Sequence, residues 1–201
     1  MSNIEFLNTL DGFNKPYFTM ADFEKILGME RDSLYVALNR LVEKGILIRL
    51  KRDVYVSRFQ SLEFERIANQ LYYPSYLSFE STLSRFGIMS QIPYSLTFAT
   101  TKPTKKLSLG EKVVEYRKLK EDCFFGYALE NGVFVAEPEK ALLDQLYMLS
   151  KGKAESDINE WSLVGLKRDT FLQYSKRFPK TVQRNAKRLV GRFGKHVVTL
   201  N

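Results

Sequence analysis

Thr19 to Ser57, TMADFEKILGMERDSLYVALNRLVEKGILIRLKRDVYVS, decides how the rest of the chain is read. Thr19 stands where a helix cap is needed, and Asp22 three residues later makes a capping-box-like start. Phe23, Ile26 and Leu27 follow at helical spacing, and Gly28 ends the helix where a left-handed residue costs little. A second helix, about Arg31 to Lys44, sets Leu34, Ala37, Leu38, Leu41 and Val42 on one side. Arg31, Ser33, Tyr35, Asn39, Arg40 and Glu43 fall mostly on the other. Gly45 closes that helix, and Ile46–Lys51 and Val54–Ser57 read as two strands around an Arg52–Asp53 turn. Helix, short turn, helix, then a hairpin with cations at its tip is the layout of a winged helix-turn-helix. In that motif the second helix enters the DNA major groove and the wing touches backbone or minor groove. A helical hairpin used for packing alone would be free to carry Glu and Lys on its outer face. Here polar hydrogen-bonding residues fill it.

Working outward, Ile4, Phe6, Leu7, Leu10 and Phe13 predict a first helix that completes a three-helix core, broken by Asn14, Lys15 and Pro16. After the wing, Gln60–Tyr72 reads as a linking helix that Pro74 ends. The boundary is placed near Arg58–Gln60, giving a DNA-binding domain at 1–59 and an α/β domain at 60–201. In the second domain Tyr76–Phe79 predicts a short strand, and Ser78 or Ser81 a cap for a helix that Gly87 stops. Strands follow at Ser95–Thr101, Val113–Leu119 and Phe124–Glu130; Asn131-Gly132 marks a hairpin returning through Val133–Ala136. Pro138 opens a helix with a broad apolar face, Ala141, Leu142, Leu143, Leu146, Tyr147 and Leu149. Two basic helices, about Arg168–Arg177 and Lys180–Arg192, precede a short strand at His196–Leu200. The expected fold class is therefore α/β (α+β), a winged helix-turn-helix followed by a mixed α/β domain.

Composition narrows the partners. At 44% hydrophobic and 27% charged residues the chain has an ordinary globular balance, and no run approaches the roughly 18 apolar residues of a membrane span. MSNIEFLNTLDGF lacks the regions of a signal peptide and Cys123 stands alone, so a cytoplasmic protein with no membrane partner is expected. Net charge is +8, and it is unevenly placed. From Gly165 to Asn201 there are ten Lys or Arg and one acid, Asp169, while the remaining residues carry 21 bases and 22 acids. Such asymmetry favours an anionic partner. Lys180, Arg184, Lys187 and Arg188 fall close to one helical face, flanked by Lys176, Arg177, Arg192 and Lys195, opposite Val182, Ala186, Leu189 and Phe193. That face is either simply solvated or a set of phosphate contacts that adds salt-dependent affinity. Lys102, Lys105 and Lys106 read as a solubilising loop.

Catalysis has little support. His196 has no obvious partner, and Cys123 follows two acids, Glu121 and Asp122, which would raise a thiol pKa. There is no Gly-rich phosphate loop, and no cofactor is expected. Glu137, Glu139 and Asp144 near Lys140, with Glu115 before Lys118, leave a metal-dependent nuclease as a remote alternative. Acids at a helix N-terminus are more simply explained by the helix dipole.

Three stretches together resemble the AbiEi family of antitoxins, the transcriptional regulators of type IV abortive-infection toxin–antitoxin systems. They are LVEKGILIRLKRDVYV (41–56), YPSYLSFESTLSRFGI (73–88) and FVAEPEKALLDQLYML (134–149). Arg52-Asp53 stands at a turn where that family often has glycine, and Arg85-Phe86 precedes Gly87 where a histidine is common. The resemblance implies a non-enzymatic DNA binder that represses its own operon at inverted repeats. It also implies opposition to a nucleotidyltransferase-like toxin, without a stable complex being required, through the C-terminal domain.

The expected contacts follow. Arg31, Ser33, Tyr35, Asn39 and Arg40 read or position DNA from the recognition helix, with Asn suited to adenine and Arg to guanine. Arg49, Lys51 and Arg52 touch it from the wing, and Lys180, Arg184, Lys187, Arg188 and Arg192 bind phosphates. The alternative is a winged-helix regulator whose second domain senses a ligand or a protein partner.

Overall fold

The computed structural model describes residues 2–154 and 157–194 of the 201. They divide into two compact units. The first holds the residues up to Ile67 together with Ser108–Lys112; the second holds Ala68–Leu107 and the described residues from Val113 onward.

In the first unit local signals set each element. α1 (Asn3–Gly12) opens on a full capping box, with the Glu5 N–H donating to Ser2 Oγ (3.2 Å) and the Ser2 N–H to Glu5 Oε2 (2.7 Å). β1 (Phe18–Thr19) runs directly into α2 (Met20–Leu27). There Thr19 and Asp22 form a second capping box, and Lys15 pairs with Asp22 at 2.6 Å. Gly28 ends the helix at φ +62°. α3 (Arg31–Glu43) closes with the Ile46 N–H on the Leu41 carbonyl and the Gly45 N–H on that of Val42, a Schellman motif. β2 (Leu47–Lys51) and β3 (Val54–Ser57) are antiparallel, and the sheet order is β1-β3-β2. At the turn between them Asp53 adopts φ +60°, a conformation Asp tolerates better than most non-glycine residues, so the hairpin turns without glycine.

This α/β pattern is consistent with a winged helix-turn-helix-like topology. Its core gathers Phe6, Leu10, Phe18, Phe23, Leu34, Leu38, Leu47 and Tyr55. The Phe23 ring lies 6.0, 5.6 and 5.8 Å from those of Phe6, Phe18 and Tyr55. The sequence alone gives no sign of β1, because two residues are too few to show alternation. Ile4 and Phe13, expected in the core, are 72% and 51% exposed. Ile4 points away from the Phe6–Leu10 stripe, and Phe13 lies past the last helical residue.

The second unit is a mixed α/β body on an open six-stranded sheet, of which only the strand-end residues Ser108, Leu109 and Lys112 belong to the first unit. The strands are β4 (Ser75–Leu77), β5 (Ser95–Thr100), β6 (Lys105–Leu109), β7 (Lys112–Lys118), β8 (Tyr127–Glu130) and β9 (Val133–Ala136). They lie in the order β6-β7-β5-β4-β9-β8, with β5–β7 and β4–β9 parallel and β4–β5 and β8–β9 antiparallel. α4 (Phe64–Leu71) crosses the division between the units, and α5 (Phe79–Arg85) follows β4. α6 (Pro138–Ser150) packs against α5, α7 (Arg168–Ser175) and α8 (Lys180–Val190). Their apolar faces meet in one core that includes Tyr76, Leu142, Leu146, Trp161, Phe171, Phe178, Val182, Ala186 and Leu189. Asn131 and Gly132 turn the β8–β9 hairpin at φ +49° and +80°, the two positive values its tight turn requires.

Several expectations need correction. The linking helix begins at Phe64 instead of Gln60, leaving Leu62 outside it and 40% exposed. The strand expected from Phe124 begins at Tyr127, because Glu121–Cys123 form a 3-10 turn and Gly126 bends the chain at φ +67°. Lys105 and Lys106 belong to a strand and not to a loop. Ser78 does occupy the cap of α5, but its side chain makes no capping bond; its hydroxyl is turned inward. The strand expected at His196–Leu200 lies outside the described residues.

Candidate nucleic-acid interface

α3 presents the polar face expected from its sequence. Leu34 and Leu38 are fully buried, while Arg31, Ser33, Tyr35 and Arg40 are exposed and Asn39 is half-buried. Arg49 on β2 reaches towards this helix. Its guanidinium carbon lies 5.8 Å from the centre of the Tyr35 ring and 5.9 Å from that of Tyr55. Hydrogen bonding by Arg49, and next by Asn39, holds the exposed Tyr35 phenol below the usual tyrosine value. The same bond from Tyr35 raises the Arg49 pKa further, so its positive charge is permanent. For Tyr55 the sign is opposite: burial pushes its phenol up. Two of the expected contact residues, Tyr35 on α3 and Arg49 on β2, are thus brought together, and Asn39 acts on the same phenol.

Arg31, Tyr35, Arg49 and Arg52 also line an open cleft of about 240 Å³, together with Asp32 and Asp53. The acids neutralise little of this charge. Arg31 meets Glu24 at 4.0 Å and Arg52 meets Asp53 at 3.9 Å, both long contacts between largely exposed arginines and their acids. Lys51 is half-buried on β2, and Ser33 and Arg40 are exposed on α3; none of the three lines the cleft. Sequence reasoning misses the Arg49–Tyr35 link. The signal available is an arginine inside a strand next to two tyrosine-bearing elements.

In the second unit α8 carries the other expected set. Val182, Ala186, Leu189 and Val190 are buried, whereas Lys180, Arg184, Lys187 and Arg188 are not, and have no carboxylate partner among the described residues. Arg192 departs from the expectation. Its guanidinium donates to the main-chain carbonyls of Ile158 (2.8 Å), Asn159 (2.9 Å) and Trp161 (3.3 Å). It clamps a loop, and its donors are committed there rather than presented to phosphate. Arg177 lies 3.8 Å over the Phe125 ring. Lys195 and His196 lie outside the described residues.

The carboxylates of the nuclease alternative are all occupied elsewhere. Glu137 accepts from the Tyr174 hydroxyl at 2.8 Å, and Glu139 accepts the Lys167 N–H at 2.7 Å. Asp144 is fully buried and paired with Lys140, and it accepts from the hydroxyls of Tyr76 (2.9 Å) and Ser78 (2.8 Å). Glu115 pairs with Lys106 and Arg117, not Lys118. Among the described residues no three His, Cys, Asp or Glu side chains are placed to hold a metal ion. Cys123 is buried, and burial is the main cause raising its thiol pKa; the neighbouring Asp122 is a lesser contributor. Among the described residues no helix is long and apolar enough to cross a membrane.

Residues 5–58 match a family model described as "Transcriptional regulator, AbiEi antitoxin". The match covers α1 to β3 and hence the whole α3–wing cluster; the remainder of the chain lies outside it. The matched family consists of regulators rather than enzymes. No curated protein matches the chain.

Proposed function

We propose that this protein is a DNA-binding antitoxin and transcriptional autorepressor of a type IV toxin–antitoxin operon. Residues 1–59 act as the DNA-binding domain, with α3 in the major groove of operator repeats and the β2–β3 wing on the backbone or minor groove. Residues 60–201 act as the antitoxin domain. The observation that carries this reading is the contact of the half-buried Arg49 with the exposed Tyr35, beside Asn39, which lies inside the segment matching a regulator family. A polar face that serves packing alone has no need to set a strand arginine against an exposed tyrosine ring. Arg31 and Arg52, beside the cluster, supply the charge that positions phosphates, while Asn39 and the arginines supply base contacts. Lys180, Arg184, Lys187 and Arg188 add phosphate contacts from α8.

The functional partner is a nucleotidyltransferase-like toxin, opposed in the cytoplasm without a stable complex being required. A reporter fused to the chain's own upstream region tests the regulatory half: co-expression should repress it, and Arg49→Ala should relieve repression. Co-expression with the neighbouring gene tests the other half: growth arrest should be reversed by the wild-type chain. A reporter indifferent to the protein would overturn the repressor reading.

A further inference from the structure

A second cationic site lies in the second unit, away from α8 in the chain. Lys105, Lys106, Arg117, Lys118, Lys151 and Lys153 line an open cleft of about 340 Å³, with Met148 and Thr104 also in its wall. They come from β6, β7 and the segment closing α6, elements separated by more than thirty residues between β7 and the end of α6. Glu115 is the single acid in the lining. It bonds Lys106 at 3.0 Å and Arg117 at 3.1 Å, and Glu80 takes Arg117 in two further bonds of 2.8 and 2.9 Å. These two cations are thereby fixed in place. Lys151 is held too, donating to the Tyr147 hydroxyl at 2.6 Å and lying 4.1 Å from the centre of its ring.

The remaining charge is uncompensated. Lys105, Lys118, Lys151 and Lys153 have no carboxylate partner among the described residues. A merely solubilising set of lysines would spread over a convex surface, where water and salt screen each charge. Here the fold collects them in a concavity, where like charges repel and the field is focused. The volume suits a small ligand, at the lower end of the range for small-molecule sites. Duplex DNA instead requires a surface that follows its backbone.

We propose that this cleft binds a small, multiply charged phosphate compound, with Lys118, Lys151 and Lys153 contacting a pyrophosphate-like group, while Arg117, committed to Glu80 and Glu115, shapes the wall. Lysine suits this role as a mobile point charge for phosphate. Neither α3 nor α8 takes part, so the cleft is independent of the proposed operator binding.

Calorimetric titration of the full chain with inorganic pyrophosphate and with tripolyphosphate tests it. Saturable binding is expected, tighter for tripolyphosphate and weakened by added salt. Lys118→Gln with Lys153→Gln should weaken it at least about tenfold. Both side chains are exposed, so a thermal melt should show the variant folded. Lys180→Gln with Arg184→Gln should leave it unchanged. Absence of saturable binding, or equal binding by the Lys118/Lys153 variant, would overturn the proposal. So would a duplex that loses affinity in the Lys118/Lys153 variant while pyrophosphate does not, since the cleft would then be a nucleic-acid surface.

Discussion

Each unit places a cation beside a tyrosine, with opposite consequences. In the first, Arg49 meets Tyr35 on an exposed face, and the interaction lowers the phenol pKa. In the second, Lys140 donates to the Tyr76 hydroxyl at 2.7 Å, pairs with Asp144, and is wholly buried beneath Phe125 and Phe178. There burial dominates: it pulls the Lys140 pKa down, pushes Asp144 up and drives Tyr76 well above its ordinary value. Every partner in the buried network is already taken, so it can stabilise one packing but offers nothing to a ligand. The exposed cluster keeps its charge available to a partner. Burial, more than residue type, separates a folding device from a binding one.

The largest test of this contrast lies in the buried network. Asp144→Ala leaves Lys140 uncompensated in the core and should destabilise the second unit by about 3–5 kcal/mol, read by urea unfolding. Lys140→Met with Asp144→Leu should recover most of that loss, because a similar volume is filled without charge. A loss below about 1 kcal/mol for Asp144→Ala would mean that water reaches the pair and that burial does not set the two sites apart.

On the exposed side, Arg49→Ala should cost about 1–3 kcal/mol in operator affinity with little change in unfolding. It should also return the Tyr35 phenol upward towards the usual tyrosine value, as seen by ultraviolet titration. A variant that binds DNA normally yet shifts the phenol would confine the cluster to a structural role. On α8, Lys180→Glu with Arg184→Glu should weaken DNA binding and reduce the magnitude of the salt slope by about two, one for each phosphate no longer neutralised. Unchanged affinity and slope would remove α8 from the interface.

The smallest effect expected is at Asp22. Burial alone would raise its pKa, but Lys15 and the Thr19 groups outweigh this and the net shift is downward. A carboxyl lowered in the folded state stabilises above its unfolded pKa of about 3.9, and that contribution disappears as pH falls through the lower folded value. Asp22→Asn should therefore cost about 0.3–1 kcal/mol at neutral pH and less in acid. A loss independent of pH would show that the cap works through geometry alone.

Much of the first unit is legible in the sequence because its signals are local. Thr19 with Asp22, Gly28, Gly45 and the apolar stripe of α3 each act within a few residues, and the structure realises all of them. The candidate face is legible for the same reason, since Leu34 and Leu38 fix which side of α3 is exposed. What escapes the sequence depends on distant partners. Lys140 and Asp144 look in sequence like any i,i+4 surface pair; the helices and aromatic rings that bury them come from other parts of the chain. Arg192 looks like one more tail cation until carbonyls over thirty residues earlier occupy it. Strand β6 is hidden by its lysines, although Leu107 and Leu109 alternate with polar residues on a sheet edge.

Operator readout by α3 and the wing is tested most directly by titrating the purified protein against its own upstream DNA and a scrambled duplex of equal length, at two salt concentrations. A strong preference for the upstream duplex is expected at both, with overall affinity falling as salt rises. Equal, salt-sensitive binding to both duplexes would contradict it, leaving α3 and the wing as a basic surface without sequence readout.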